Sequence, residues 1–401
     1  MKIILAVNAI KPPLTGIGRY TWELANRVPS MQDVESVRFF FEGRWVSDVR
    51  ALLDQSPAKL AVRQRLLRSP VAVAAYRLLS PLLLRQRLRA FPDHLYHGTN
   101  FYLPPCAGPA IATLHDLSIF LCPQFHPPER VAFMQREIQI ALGRANYLIT
   151  DSEFIRQEII EFFGWPEDKV RAVPLGVDEA YRPRGVDETA GVLGRFGLAY
   201  GGYALCVATI EPRKNIEALL LAYEALPLAL RNRYPLVLVG GYGWRSEAIH
   251  RRIDRGQQQG WLRYLGYVSE ADLPLLFSSA RGFVYPSLYE GFGLPVLEAM
   301  ASGLPVLISN RSSLPEVASG AALIVEAEDI QAMTESIRVL LEDDAWRGEA
   351  SRRSLEVASR YSWDTTARET VEVYRAVSNN AFGSAATPLP KQKNHGYSHK
   401  G

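Results

Sequence analysis

Two α/β domains, each built on a parallel sheet, are predicted by three features of the sequence. The first is alternation. Short apolar runs rich in Val, Ile and Leu are separated by helical patterns along most of the chain, which implies parallel strands covered on both faces. The second is length, since 401 residues exceed one domain of ordinary size. The third is a stretch beginning at Pro174-Leu175-Gly176-Val177-Asp178 and passing Pro183, Gly185, Gly191 and Gly194 to Gly201-Gly202, which interrupts the alternation and reads as a linker. The domains are accordingly set at 1–180 and 181–360, followed by a helix at 361–377 and a tail at 378–401. That tail lacks apolar periodicity and is expected to be disordered.

In the first half, Lys2–Val7 is a buried strand, and Arg19–Val28 reads as a helix after a loop holding Gly16 and Gly18. Strand, glycine loop and helix open a βα unit. Thr15-Gly16-Ile17-Gly18 suggests a dinucleotide loop, with Glu42 after the strand Val37–Phe41 as a ribose acid, but the G-x-G-x-x-G spacing is not completed. A loop that only starts a helix is the competing reading. Asp93–His97, Pro109–Thr113, Tyr147–Thr150 and Val170–Val173 are further strands, Glu129–Leu142 and Glu153–Phe163 helices, the latter capped by Ser152.

The second half repeats the pattern with strands at Tyr203–Ala208, Pro235–Val239, Leu262–Gly266, Gly282–Tyr285, Pro305–Ile308 and Ala321–Val325. Helices are read at Asn215–Glu224, at Ser269–Ala280 with Ser269 as its cap, at Asp344–Ala358 and at Trp363–Val377. Two such halves would enclose a cleft between their strand ends.

A net charge of +3 gives no reason to invoke nucleic acid, and three scattered cysteines (Cys106, Cys122, Cys206) argue against a disulfide framework and fit a reducing compartment. No signal peptide is read at the start, and Val71–Leu84, the longest apolar stretch, is broken by Arg77 and Pro81, short of the ~18 residues a spanning helix needs. A soluble or peripheral protein of the cytoplasm is expected. Between Asp54 and Asp93 no acidic residue occurs, while Lys59, Arg63, Arg65, Arg68, Arg77, Arg85, Arg87 and Arg89 alternate with apolar residues. These basic amphipathic helices are either solvated faces, a contact to an anionic membrane surface through residues 59–89, or a seat for a phosphate-bearing acceptor.

The chemistry gathers at strand ends. Ser287-Leu288-Tyr289-Glu290-Gly291-Phe292-Gly293-Leu294-Pro295-Val296-Leu297-Glu298 predicts a strand, a glycine turn and a helix, with Pro295 in the first helical turn and Leu294, Leu297 and Ala301 on its inward stripe. Either the two glutamates flank a plain capped turn, or both accept hydroxyls of a polyol that the glycines allow close to the backbone. Thr209-Ile210-Glu211-Pro212-Arg213-Lys214-Asn215 places two adjacent cations at the same end of the same sheet, suited to a diphosphate. His115-Asp116 follows another strand, where a histidine can exchange protons or be a satisfied structural group. His94, His97 and His126 lack metal-site spacing, so no zinc is expected.

Taken together, Glu290-x7-Glu298, Glu-Pro-Arg-Lys-Asn, Gly16-Ile17-Gly18 and His115-Asp116 resemble, in matching order, the retaining GT-B glycosyltransferases of family 4 over most of residues 1–377. The resemblance implies two Rossmann-like domains facing across a cleft, with the C-terminal helix crossing back to the first. It implies a nucleotide-sugar donor on the second domain and a glycan acceptor on the first. By position, Glu298 would hold the ribose, Glu290 the donor sugar, and amides at Phe292, Gly293 and Leu294 the sugar and phosphate. Lys214 would hold the diphosphate, Gly16 would let the first domain approach it, and His115 would contact the sugar near the reacting carbon. One departure stands out: Ala208-Thr209 replaces the Gly-Arg of many relatives, leaving Arg213 as the substitute phosphate cation. No Asp-x-Asp pair occurs, so neither a metal nor another cofactor is expected.

The His97-Gly98-Thr99-Asn100 and His115-Asp116-Leu117 stretches are similar to bacterial mannosyltransferases, which implies mannose from GDP-mannose in surface-polysaccharide synthesis (O-antigen or capsule), and the basic stretch Lys59–Arg89 supports a lipid-linked acceptor and a place at the inner face of the plasma membrane. A UDP-sugar-dependent transferase, a nucleotide-sugar epimerase or NAD-dependent oxidoreductase, and a non-catalytic sugar-binding module are the alternatives.

Overall fold

Apolar runs of three to six residues become strands in both halves of the computed structural model, which describes residues 1–54, 84 and 86–379. Two units result. Unit 1 holds Met1–Leu117, Glu129–Pro174 and the last helix; unit 2 holds Ser118–Pro128 and Leu175–Ser362. Within residues 59–89, all but 84 and 86–89 lie outside the described residues, as do 380–401, so most of the basic stretch and most of the tail lie there too.

Unit 1 is built on β1 (Lys2–Ala6), β2 (Ser36–Phe41), β3 (Arg44–Val46), β4 (Leu95–Gly98), β5 (Ala110–Thr113), β6 (Tyr147–Thr150) and β7 (Val170–Ala172), in the order β3-β2-β1-β4-β5-β6-β7. All pairs are parallel except β2 with β3. Ile4 of β1 lies between Arg38 and Tyr96, and β4 and β5 are buried throughout, as central strands covered on both faces must be. Sequence reading passed over β3, which is too short to show alternation. With Glu42 at φ 48° and Gly43 at φ 86°, these two residues form the tight β2–β3 turn, and the Glu42 carboxylate pairs with Lys11 at 2.9 Å.

The first helix starts at Gly16 rather than Arg19, because the Thr15 side chain accepts from the Gly18 amide at 3.2 Å and caps it. Against this helix packs Trp363–Asn379, which buries Trp363, Val371, Tyr374 and Val377; Arg27 Nε donates to Asp364 at 2.7 Å and Thr366 to the Pro174 carbonyl at 2.7 Å. Ser378 and Asn379, assigned to the tail from sequence, are the last residues of this helix.

Unit 2 has β8 (Ala204–Val207), β9 (Leu236–Val239), β10 (Leu262–Tyr264), β11 (Gly282–Tyr285), β12 (Val306–Ser309) and β13 (Leu323–Val325), all parallel, in the order β10-β9-β8-β11-β12-β13. This is the doubly wound order. The chain reverses direction across the sheet between β8 and β11, as it does between β1 and β4 in unit 1, and ligands of open α/β sheets bind outside such points.

Two elements of unit 2 depart from expectation. The linker contains a helix, Val186–Phe196, whose first turn is fixed by Glu188 accepting from the Gly185 amide at 3.4 Å. It buries Thr189, Val192 and Leu193, and ends at Gly197 with φ 60°. Its glycines at 191 and 194 cost helix propensity that packing against Leu273–Ser279 offsets. Ser269 caps only a turn, accepting from the Asp272 amide at 3.2 Å, and the helix begins at Leu273 with Pro274 in its first turn. The segment Ser118–Pro128 is held in unit 2 by the Trp244 indole, which donates to the Phe125 carbonyl at 2.5 Å. Among the described residues, no helix is long and apolar enough to cross a membrane.

Candidate active site

The loops after β8 and β11 flank the unit 2 switch point, and their polar side chains close on one another. After β8, a short turn at Pro212–Lys214 ends at Asn215 in the left-handed conformation (φ 55°), which turns the chain sharply into the helix Ile216–Glu224. After β11, the chain passes Glu290 and reaches Gly293 at φ 105°, the residue before the helix Leu294–Ala301. A Cβ at Gly293 would stand 2.8 Å from Leu314 Cδ2. The inward set of this helix is Val296, Leu297, Ala299 and Met300; Leu294 and Ala301, expected inside, are half-buried.

Glu290 is the hub. One carboxylate oxygen, Oε1, accepts from Lys214 Nζ, from Ser287 Oγ at 2.6 Å and from the Tyr285 hydroxyl at 3.0 Å. The other, Oε2, accepts from Arg213 Nη1 at 3.2 Å. Arg213 in turn reaches the Tyr289 carbonyl at 2.5 Å and Glu211 at 3.0 Å, and Lys214 Nζ also donates to Tyr285 at 2.9 Å. The Glu290 amide donates to Ser312 Oγ at 2.8 Å, while Ser313 Oγ is 3.0 Å from both the Glu290 and Phe292 carbonyls. Side chain and backbone of Glu290 are therefore both fixed.

All four charges in this cluster are buried or nearly so, and they balance, with two carboxylates and two cations. An isolated ion there would cost several kcal/mol. Burial pushes the Glu290 carboxyl upward, but Lys214 and Arg213 outweigh it and bring the pKa down to about 2. Burial, and then the neighbouring Arg213, lower that of Lys214 against the pull of Glu290. Burial and the Glu290 charge raise Tyr285, which stays a neutral donor.

Glu298 lies half-buried one helical turn beyond Pro295, and Phe292 and Gly293 are buried in the turn. Sequence reading placed Glu290, Arg213 and Lys214 at one sheet end; it missed Glu211, Tyr285, Ser287, Ser312 and Ser313. Of these, Glu211 and Ser287 lie inside the quoted stretches without an assigned role and were within reach. Ser312, with φ 51°, arrives from a loop after β12 that carries no motif.

Gly16 and His115 belong to unit 1. Gly16 is the exposed first residue of its helix. His115 follows β5, with Nδ1 2.7 Å from Asp151 Oδ2 and Nε2 3.0 Å from the Thr99 carbonyl. The Thr99 hydroxyl donates to the Ala6 carbonyl at 2.7 Å and lies 3.0 Å from Thr21 Oγ1 on the Gly16 helix. Beneath it, fully buried His97 contacts the Tyr374 hydroxyl (2.6 Å) and Thr113 Oγ1 (2.8 Å), and Thr113 contacts Tyr20 at 2.9 Å. Burial, helped by His115, lowers the His97 pKa to about 3, so this ring is neutral. Among the described residues, no group of three or more His, Cys, Asp or Glu side chains is arranged to hold a metal ion.

Comparison with known proteins places these features in a family. Residues 201–359 match the model for glycosyl transferases group 1, and residues 14–181 that for glycosyltransferase family 4. The chain is 44% identical over 379 residues to the O-antigen chain mannosyltransferase B of Escherichia coli, covering 94% of this chain and all of that one. It is 34% identical over 236 residues to the serotype-specific mannosyltransferase WbdA of the same species, matching 57% of this chain and 28% of that longer protein. Among solved structures, HepE of Anabaena in complex with UDP and glucose aligns with a TM-score of 0.68 at 16% identity, over 94% of this chain and all of that one. Sucrose-phosphate synthase of Thermosynechococcus elongatus aligns at 0.66 and 21% identity, over 94% and 99% of the two chains. The epimerase, oxidoreductase and non-catalytic alternatives fall with these matches: the chain is a glycosyltransferase of the GT-B fold and belongs to glycosyltransferase family 4.

Proposed function

We propose that this enzyme transfers mannose from GDP-mannose, with retention, to a lipid-linked glycan in O-antigen synthesis. The observation that carries the reading is the closed cluster of Glu290, Arg213 and Lys214 at the unit 2 switch point, in a chain 44% identical over 94% of its length to an O-antigen mannosyltransferase. At rest the two cations neutralise Glu290. A donor diphosphate brings negative charge of its own and competes for Lys214 and Arg213, which leaves Glu290 free to accept sugar hydroxyls. Binding of the leaving group and recognition of the sugar are thereby coupled through one set of side chains. Glu298 takes the ribose, the amides at Phe292, Gly293 and Leu294 line the sugar and phosphate, and Gly16 and His115 are the unit 1 contributions.

In the transfer step the bond from sugar C1 to the phosphate oxygen breaks. A bond from C1 to the acceptor oxygen forms on the same face, and the acceptor hydroxyl proton passes to the departing diphosphate. Charge grows on the leaving oxygen, where fixed cations lower the barrier most. No metal is assigned to this step. The acceptor's lipid carrier places the reaction at the inner face of the plasma membrane, and the basic residues of 59–89 are the part of the sequence assigned to that surface.

The test is a donor screen with GDP- and UDP-sugars and a lipid-linked acceptor, with the product anomer read by NMR. Release of GDP from GDP-mannose and an α-linked product are expected. Release of UDP alone overturns the donor, and a β-linked product overturns retention. Liposome co-sedimentation that ignores anionic lipid content would remove the membrane assignment.

A further inference from the structure

Two histidines at neighbouring strand ends of unit 1 differ in what surrounds their rings. His97 meets two hydroxyls, Tyr374 and Thr113, each of which can donate or accept, so a neutral ring satisfies both. His115 meets an Asp151 carboxylate oxygen at Nδ1 and the Thr99 carbonyl at Nε2, and both can only accept. A neutral imidazole carries one N–H and would turn a lone pair toward one of these oxygens. Only the doubly protonated ring satisfies both.

Asp151 has a matching need. It follows β6, is 3% exposed, and its second oxygen, Oδ1, is buried without a hydrogen-bond partner. Burial raises the Asp151 pKa, the His115 charge and hydrogen bond work against that rise, and Asp116, of like sign, adds to it. Removing the ring proton would strand a carboxylate in the interior, which is strongly unfavourable. His97, the other ionisable ring close by, is neutral, and the Tyr20 ring stands perpendicular to His115 at 5.1 Å.

We propose that Asp151 is a positioning residue that holds His115 as an imidazolium, so that His115 serves the transfer as a fixed cation and never as a base. The inference rests on the placement of His115 near the reacting sugar. Burial works against charge on the ring, but Asp151, the Thr99 carbonyl and Asp116 together raise the His115 pKa above its ordinary value. Two histidines at neighbouring strand ends are thus set to opposite protonation states by their partners.

The experiment titrates the full chain by NMR with ¹⁵N-labelled histidine, the His115 signals being assigned by their loss in His115→Gln, alongside steady-state kinetics of Asp151→Asn and Asp151→Glu. In the wild type both His115 ring nitrogens stay protonated well above pH 6.5, and activity shows no inflection from this ring between pH 6 and 7. In Asp151→Asn the ring loses its second proton near or below pH 6.5. There kcat falls by about 10- to 100-fold above that pH while the donor KM changes little, the range expected when one fixed charge is lost near the reacting centre. Asp151→Glu restores part of the loss and the raised titration. A wild-type His115 that is neutral at pH 7, or an Asp151→Asn ring that titrates as in wild type, overturns the pairing. Altered ring protonation with unchanged kcat overturns the catalytic half and removes His115 from the reaction, while the donor assignment, read by GDP release, stands or falls separately.

Discussion

Unit 1 and unit 2 wind their sheets alike around a switch point, yet the polar groups gathered at the two points differ in kind. At β8 and β11 two carboxylates and two cations close into a neutral knot that an anionic ligand can open by exchanging partners. At β1 and β4 hydroxyls and a neutral imidazole are joined in a chain from Tyr20 through Thr113 and His97 to Tyr374, with the His115–Asp151 pair beside it. Charges that satisfy one another can be recruited by a new charge, whereas neutral hydrogen-bonded chains hold a geometry and resist change. The shared fold supplies the two sets of strand ends, and the residues grafted on them decide which groups exchange partners and which hold a geometry.

Breaking the charged knot should have the largest effect. Glu290→Gln keeps the shape, removes the charge that Lys214 and Arg213 neutralise, and is expected to lower transfer by about 10²–10³-fold, measured as GDP release with acceptor present. The same variant sharpens the comparison through pH. Because the Glu290 pKa falls from 4.5 to about 2 on folding, its contribution to stability is present above pH 4.5 and is lost as pH falls toward 2. Urea unfolding of wild type and Glu290→Gln should therefore differ most at neutral pH and converge in acid. A gap that stays constant down to pH 3 would contradict this.

Gly293→Ala probes the backbone beneath the same knot. At φ 105° any Cβ is strained, and the nearest atom, a Leu314 methyl, can yield only within a buried setting. A loss of about 1–3 kcal/mol is expected in chemical unfolding, and no loss would mean that the turn relaxes. The smallest effect should come from the neutral chain. Tyr374→Phe deletes one hydroxyl beside His97 and should cost about 1 kcal/mol with kcat unchanged, read by thermal unfolding and the transfer assay.

How far the sequence carried differs between the same two regions. Strand and helix alternation placed Tyr147–Thr150, Gly282–Tyr285 and Asp344–Ala358 at their observed bounds, because each is a clean period between polar breaks. In unit 2 the motif residues are close to one another along two loops, and their common position at one sheet end followed from the alternation alone. In unit 1 the corresponding network pairs His97 with Tyr374, 277 residues away, and no local pattern reports such a contact. Asp151 left a fainter trace, a carboxylate at a strand end directly before the capping Ser152, where it could pass for part of the cap. The helix Val186–Phe196 was hidden by its own glycines, which local propensity counts as breakers and tertiary packing tolerates.

The last helix of unit 1 sets a timetable for the growing chain. His97 leaves the ribosome 277 residues before Tyr374, its hydrogen-bond partner. At about 5–20 residues per second that interval is roughly 14–55 s. During it the whole of β8 to β13 is synthesised and unit 2 can close, while unit 1 waits with the apolar seat of Trp363 and Val371 uncovered. The unit begun first of the two is the last to finish, and for that interval the helix Gly16–Arg27 lacks the partner that packs on it.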